Sequence, residues 1–240
     1  MSINWEAKWN AFVNSFVTQN GYERVLEGLG NTVLIAVLGL LIGILIGIII
    51  AIIRVTPHYR IVPNILDKIC AVYVGFFRGT PIVVQLLLGY YVILPLIGVR
   101  IPSLTVCILI FGLNSGAYVS EIMRGGINSV DKGQLEAGRA LGLSYPTAMV
   151  RIVIPQAIKN IIPTLGNEFI ALVKDTSVVS FVGALDLYNA FNYIASNNYE
   201  FMVPYLVMAV IYIVLIVLIT ILVRLIERGL AKSDRRVSAK

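Results

Sequence analysis

Apolar residues in this chain come in five long runs, unlike the alternation of a half-buried strand or the single stripe of a surface helix. The runs cover residues 31–53, 65–97, 104–123, 162–182 and 203–223. A helix needs about 20 mostly apolar residues to cross the hydrocarbon of a bilayer, and each run reaches that length. The pattern therefore predicts an all-α integral membrane protein with five transmembrane helices.

The second run is too long for one untilted span, and polar or conformationally special residues interrupt it. The interruption consists of Arg78, Gly79, Thr80 and Pro81. Proline removes a backbone donor and glycine permits a bend, so this run predicts a kinked or two-part helix. Arg78 either snorkels to the cytoplasmic interface or faces the protein interior, because a charge exposed to lipid is costly.

The first run carries a repeat of small residues. Gly39, Gly43 and Gly47 recur every four positions, which makes one smooth face where another helix can approach closely. We interpret this face as a packing surface that needs no ligand. Asn31 or Thr32 can cap the start of the helix.

Positive charges predict how the spans are oriented. Lysine and arginine gather in residues 54–68, 124–159 and 229–240. Positively charged loops stay in the cytoplasm, so five spans place the N-terminus outside and the C-terminus in the cytoplasm. The chain is 58% hydrophobic and 13% charged, with a net charge of +6. Because apolar spans separate the charges, this net charge reflects membrane topology, and we expect no nucleic-acid partner.

The predicted spans divide the chain into three parts. Residues 1–28 form an external amphipathic segment, residues 29–228 the transmembrane domain and residues 229–240 a basic cytoplasmic tail. In the first part, aromatic residues recur at helical spacing, which is typical of a short helix resting at the surface of the lipid bilayer. These aromatic residues are Trp5, Trp9, Phe12 and Phe16.

A polar segment lies between the third and fourth spans, and we call residues 131–156 the elbow. Asp131 and Gln134 have the spacing of a capping box, and Gly142 can supply the left-handed residue that ends a first short helix. A second helix follows, which Pro155 ends or bends into the fourth span. Two short helices joined at a glycine corner predict a compact cytoplasmic surface.

Side chains on the elbow could meet a soluble partner. Glu136, Arg139 and Tyr145 are the candidates because their positions fall outside the apolar pattern. An ordinary interfacial loop is the alternative interpretation of this segment.

Five polar residues inside the third and fourth spans are candidates for a substrate pathway. Buried charges in a membrane are costly unless they face water or a partner. In the third span the spacing places three residues on one helix face, and in the fourth span two acids seven residues apart also share a face. They are Asn114, Tyr118 and Glu121, followed by Glu168 and Asp175. An acidic lining would favour cationic amino acids; alternatively, Lys174 or Arg124 neutralises these acids within a structural network.

Enzyme chemistry finds little support in the sequence. Ser115 lies in an Asn-Ser-Gly sequence, but a serine nucleophile needs a base within hydrogen-bond reach. The only histidine is His58, which we place on the surface of the first cytoplasmic loop. A metalloprotease site would need more than one histidine, so neither a catalytic site nor a metal site is predicted.

The elbow resembles the EAA loop of bacterial ABC importer permeases. It has EAG at residues 136–138, Gly142 after three more residues, and IVIP at residues 152–155. Gly138 stands where the family usually has a second alanine, and Ile154 where leucine is common.

Three further segments resemble the type I subfamily that takes up polar amino acids and opines, the His/Glu/Gln/Arg type. They read FFRGTP at residues 76–81, LNSGAYVSEIMRGGI at 113–127 and KDTSVVS at 174–180. With the elbow included, the resemblance extends over residues 28–228.

The resemblance implies a permease subunit of an ABC importer, in the bacterial inner membrane, that carries polar and by our charge argument cationic amino acids. The elbow would be the coupling helix that sits in a groove of a cytoplasmic ABC ATPase dimer. Glu136 would pair with a basic residue of the ATPase. The implied coupling set is Glu136, Ala137, Gly138, Arg139, Ala140, Leu141, Gly142 and Tyr145.

Partners follow from the same resemblance. A second copy of this permease or a paralogue would complete the pathway, and an extracytoplasmic amino-acid-binding protein would deliver substrate. The chain has no G-x-x-x-x-G-K-[ST] phosphate loop, so ATP and Mg²⁺ are expected in the ATPase and no cofactor in this chain. The alternative is a secondary transporter or channel without an ATPase, for which paired inverted halves would be expected.

Overall fold

The computed structural model describes residues 4–56 and 61–237, with side chains through residue 229. Every regular element in these residues is a helix, which confirms the all-α prediction. In chain order the helices are α1 (Trp5–Val13), α2 (Gly21–Val55), α3 (Ile61–Gly79), α4 (Ile82–Leu88), α5 (Leu94–Leu96), α6 (Ser103–Asn128), α7 (Lys132–Ala140), α8 (Tyr145–Ala148), α9 (Ile154–Asp175), α10 (Leu187–Asn198) and α11 (Met202–Val237). His58 lies outside the described residues.

Three helices among the described residues are long and apolar enough to cross a membrane. They are Gly21–Val55, Ser103–Asn128 and Met202–Gly229. The interrupted pair Ile61–Gly79 and Ile82–Leu96 adds a fourth if it is counted as one broken span. The count of five spans and the external N-terminus therefore stay predictions.

The helix of the first span begins earlier than the hydropathy pattern predicts. Asn20 adopts a left-handed conformation with φ 55°, and α2 begins directly after it. A cap at Asn31 or Thr32 is therefore wrong. The Asn31 side chain instead donates to the carbonyl of Leu185 at 2.9 Å, and the Thr32 hydroxyl accepts from the Leu187 N–H at 3.1 Å.

Other helix ends also differ from the predicted runs. The second run is two-part as predicted, because α3 ends at Gly79 and α4 begins at Ile82. In the fourth run, α9 already begins at Ile154 and passes into a 3-10 turn at Thr176–Val182. The basic tail is helical as far as Val237, since no proline interrupts it.

The chain divides into two compact units. The first consists of Met1–Gly39, Thr80–Gly112 and Ala171–Leu218. Its core packs α1, α2, α10 and the start of α11 together. Buried side chains in this core are Phe12, Val25, Leu187, Ala190, Phe191, Ile194 and Val203.

The aromatic residues of the N-terminal segment have two roles in this unit. Trp5 and Trp9 are 53% and 54% exposed, whereas Phe12 is buried in the core. The predicted amphipathic helix consists of α1 and the π turn at Asn14–Thr18 that follows it and contains Phe16; its depth in the bilayer stays a prediction. An ion pair between Lys8 and Glu200 joins α1 to the segment between α10 and α11.

Asp186 caps the N-terminus of α10 in the first unit. Its carboxylate accepts the N–H groups of Tyr188 and Asn189 at 3.1 and 2.9 Å. Burial raises the pKa of the Asp186 carboxyl to about 6, although these N–H groups oppose the shift by stabilising the charged form.

The second unit consists of Leu40–Gly79, Leu113–Ile170 and Ile219–Lys240. Here α2 and α6 approach closely at two of the predicted glycines. A Cβ atom added to Gly43 would lie 2.5 Å from Ser115 Oγ, and one added to Gly47 would lie 2.6 Å from a methyl of Val119. The packing interpretation is confirmed at these positions, with α6 of the same chain as the neighbour.

Candidate functional site

The first helix of the elbow has a defined start and stop. Asp131 Oδ1 accepts the N–H of Gly133 at 2.6 Å, so Asp131 is the N-cap of α7. Gly142 has φ 86°, and the N–H of Leu143 donates to the carbonyl of Gly138 at 3.2 Å. This is a Schellman stop, which satisfies carbonyls at the helix end. The predicted N-cap at Asp131 and the glycine corner at Gly142 are confirmed, but the Asp131 side chain accepts from Gly133 and the Gln134 side chain from Gln156, so the capping-box pairing is not.

The second arm of the elbow runs into α9 without ending. Ser144 caps α8, and its hydroxyl oxygen accepts the N–H of Thr147 at 3.4 Å. A π turn at Met149–Val153 then leads directly into α9, so Pro155 neither ends nor separates these helices. The wider π turn lies just before the proline, where a regular α-helical ladder would lose a donor.

The inner side of α7 packs against this second arm. Gly138 is buried, and a Cβ atom there would lie 2.7 Å from the terminal methyl of Ile152 and 3.4 Å from Cβ of Ala148. Glycine therefore gives close packing at a position where alanine would require only a small movement of the Ile152 side chain.

The outer side of α7 is open. Most of the predicted coupling residues lie on it, and Leu141 is 84% exposed even though it is apolar. Arg139 donates to the carbonyl of Leu143 at 3.3 Å, which keeps its side chain near the corner. Exposed members of the predicted set are Glu136, Ala137, Arg139, Ala140, Leu141 and Gly142.

Tyr145 differs from the prediction because it is only half-exposed. Its hydroxyl donates to the carbonyl of Val55, the last residue of α2, at 3.4 Å. The ring lines an open cavity of about 580 Å³ whose wall also includes Glu136 and Lys132. Tyr145 thus faces its own chain, with only part of its surface available to a partner.

The predicted stripe on the third span is directed at α3. The Asn114 side chain donates to the carbonyl of Phe77 at 3.3 Å. Arg78 lies over the ring of Tyr118, with the guanidinium carbon 5.3 Å from the ring centre. The Arg78 side chain contacts these protein groups but is 45% exposed, so its two alternatives stay open.

Glu121 is the centre of a cluster of five charged residues, which we call the Glu121 cluster. Its carboxylate accepts from Arg54 and from Nη2 of Arg124 at 2.6 Å, and Arg78 Nη1 lies 3.8 Å away. Arg54 Nε also lies 3.4 Å from the carboxylate of Asp67. Three guanidinium groups face two carboxylates, so the cluster carries net positive charge.

Sequence reasoning found only part of this cluster. It named Arg124 as a possible neutralising partner, but treated Arg54 as a topology signal and did not mention Asp67 as a site residue. A signal was available, because Arg54 ends an apolar run and Asp67 and Arg78 lie eleven positions apart, about three helical turns.

The break after Arg78 is stabilised by a buried glutamine that the sequence analysis missed. Gln85 is 4% exposed, and its side-chain nitrogen donates to both the carbonyl and the hydroxyl oxygen of Thr80 at 2.9 Å. Pro81 is the N-cap of α4. The carbonyl and hydroxyl oxygens of Thr80 therefore find a partner within the first unit.

The two acids of the fourth run are placed apart from the Glu121 cluster in the chain. Glu168 is half-buried in the middle of α9, and Asp175 is the exposed last residue of that helix. Glu168 belongs to the second unit together with Asn114, Tyr118 and Glu121, whereas Asp175 belongs to the first. The five candidates therefore do not form one site within a single unit.

Comparison with known proteins gives the family. Residues 43–232 match the family described as "Binding-protein-dependent transport system inner membrane component". A putative glutamine transport system permease protein of Rickettsia bellii is 40% identical over 67% of this chain and 74% of its own length. The arginine transport system permease protein ArtQ of Bacillus subtilis is 37% identical over 68% of this chain and 74% of its own.

Comparison with solved structures agrees with this family match. A chain of an amino acid ABC transporter crystallised with histidines is 36% identical and superimposes with a TM-score of 0.82 over 95% of this chain and all of its own. The methionine transporter MetNI, 19% identical with a TM-score of 0.73, shows the same fold.

These matches decide between the alternatives left by the sequence. A secondary transporter or channel without an ATPase is not supported, and neither is an enzyme. Permeases of this family work with an ATPase and a substrate-binding protein. The chain belongs to the inner-membrane components of binding-protein-dependent transport systems, the multi-pass permease subunits of ABC importers.

Proposed function

We propose that this permease imports polar amino acids, with the elbow as its docking site for the ATPase. The relatives named for glutamine and arginine, together with the amino acid transporter of known structure, support this substrate class. The observation that carries the docking role is the capped helix α7, whose outer side exposes Leu141 and Glu136 while its inner side is packed.

Docking to the ATPase would explain why the apolar side chain of Leu141 is exposed at the end of α7. An apolar side chain that is 84% exposed at a rigid helix end contributes little to the stability of the free chain. In a groove of the ATPase, Leu141 and the neighbouring Ala137 and Ala140 would bury apolar area. Glu136 would meet a basic group of the ATPase. Exposed apolar residues beside a few charges, here Glu136 and Arg139, are the composition expected of a small docking surface.

The energy source and the assembly belong to the same proposal. ATP and Mg²⁺ bind to the partner ATPase, and closure of an ATPase dimer moves the elbow. Two permeases, either identical copies or paralogues, enclose the pathway, and an extracytoplasmic amino-acid-binding protein supplies substrate. The glycine face of α2 is occupied by α6 at Gly43 and Gly47, so a second permease would contact other surfaces.

Charge reversal at Glu136 tests the docking role. We expect Glu136→Arg to reduce recovery of the ATPase with the purified permease about tenfold or more, because an attractive contact becomes a repulsive one. Glu27→Arg, an exposed charge reversal on α2, is the matched control and should retain the ATPase. Equal recovery with both variants would contradict docking at the elbow.

A further inference from the structure

The elbow rests on the end of α2 through Tyr145. The Tyr145 hydroxyl donates to the carbonyl of Val55 at 3.4 Å, and Val55 is the last residue of α2. Carbonyls in the last turn of a helix have no partner within the helix. The Tyr145 hydroxyl therefore gives one of them a partner and joins the two elements at a defined atom.

The residue directly before Val55 joins the same helix end to two others. Arg54 binds Glu121 on α6, and its Nε lies 3.4 Å from the carboxylate of Asp67 on α3. The Arg54 and Glu121 side chains are only 22% and 16% exposed. Ion pairs with little water around them are stronger and more rigid than surface pairs.

Glu121 connects Arg54 to the end of α3. Arg124 holds the Glu121 carboxylate with two nitrogens, Nε at 3.2 Å and Nη2 at 2.6 Å, so the carboxylate is fixed on α6. Arg78 approaches the same carboxylate at 3.8 Å and is followed at once by Gly79, where α3 ends. A Cβ atom on Gly79 would meet nothing within 4 Å, so no side chain packs directly on this position at the helix end.

These contacts form a continuous series from the elbow to the break in the second predicted span. We propose that Tyr145, Arg54 and Glu121 are positioning residues that transmit movement of the elbow to the end of α3 at Gly79. The proposal rests on the docking role of the elbow. It assigns Glu121 to energy coupling, and not to contact with the transported amino acid.

A double-mutant cycle in the complete transporter tests this series. Permease, ATPase and binding protein are reconstituted in liposomes, and amino acid uptake per ATP hydrolysed is measured for Tyr145→Phe, Glu121→Gln and both together. Each single change should lower this ratio about threefold to tenfold, within the range of residues that modulate coupling. Because the two residues act in series, the double variant should be no worse than Glu121→Gln alone.

Losses that multiply in the double variant would overturn the proposal. So would a raised half-saturating substrate concentration in Glu121→Gln, since that would indicate contact with substrate. Tyr193→Phe, at an exposed tyrosine in the other unit, is the control and should leave the ratio unchanged.

Arg54→Lys replaces Glu121→Gln if the latter fails to fold, because it keeps the charge and removes only the fork geometry. The double variant of Arg54→Lys and Tyr145→Phe should have no lower uptake per ATP hydrolysed than Arg54→Lys alone. Losses that multiply in this double variant would again overturn the proposal. Glu121→Gln and Arg54→Lys, which lie outside the predicted docking set, should still bind the ATPase. Failure of the unaltered permease to bind it would instead refute the docking role.

Discussion

At the residue scale, Glu121 of the predicted pathway has charged partners within the chain. Glu121 is bound by Arg54 and Arg124 and approached by Arg78, so its charge is compensated within the chain. The neutralising network that the sequence left open as an alternative is therefore present at Glu121. Any acidic character of the pathway would have to come from Glu168 or Asp175.

The predicted preference for cationic amino acids can be tested at Glu168, which lies in the middle of α9. In Glu168→Gln we expect uptake of arginine to fall about tenfold relative to glutamine, because a single attractive charge is removed. Competition between the two labelled amino acids in reconstituted liposomes measures the ratio. Glu27→Gln, an exposed site on α2, is the control. An unchanged ratio in Glu168→Gln would argue against a direct role of this residue.

At the element scale, close packing of α2 on α6 organises the second unit. Gly43 leaves no room for a side chain, since an added Cβ would lie 2.5 Å from Ser115 Oγ and 3.0 Å from the backbone of Ser115. The backbone of Ser115 cannot move aside as a flexible side chain can. Small residues at this position are therefore required by helix packing within the chain.

Replacing Gly43 with alanine should destabilise the permease. We expect Gly43→Ala to cost about 1–3 kcal/mol through overpacking, seen as a lower midpoint of thermal unfolding in detergent. Gly30→Ala on the same helix is the matched control, because an added Cβ there meets nothing within 4 Å. Because alanine has a higher helix propensity than glycine, Gly30→Ala should leave the midpoint of thermal unfolding equal or slightly raised. Equal midpoints for both variants would refute the packing argument.

At the scale of the whole molecule, hydropathy predicted the helical class and the break at Gly79, because both depend on local sequence. Capping rules also predicted the cap at Asp131 and the stop at Gly142 for the same reason. Contacts between segments that are distant in the chain could not be predicted from local sequence. Asn31 and Thr32 resemble caps in sequence, but they bind Leu185 and Leu187 at the start of α10. The pairing of Arg54 with Glu121 likewise depends on how helices meet, which no local pattern specifies.

Coupled ATP hydrolysis tests the central claim, that this permease works through a separate ATPase docked at its elbow. The measurement is the ATPase rate of the purified complex in liposomes with and without substrate-loaded amino-acid-binding protein. We predict a severalfold increase with the loaded protein, and its loss in Gly142→Pro, because proline cannot adopt the φ of 86° found there. Failure of any ATPase to co-purify, or full stimulation in Gly142→Pro, would contradict the account.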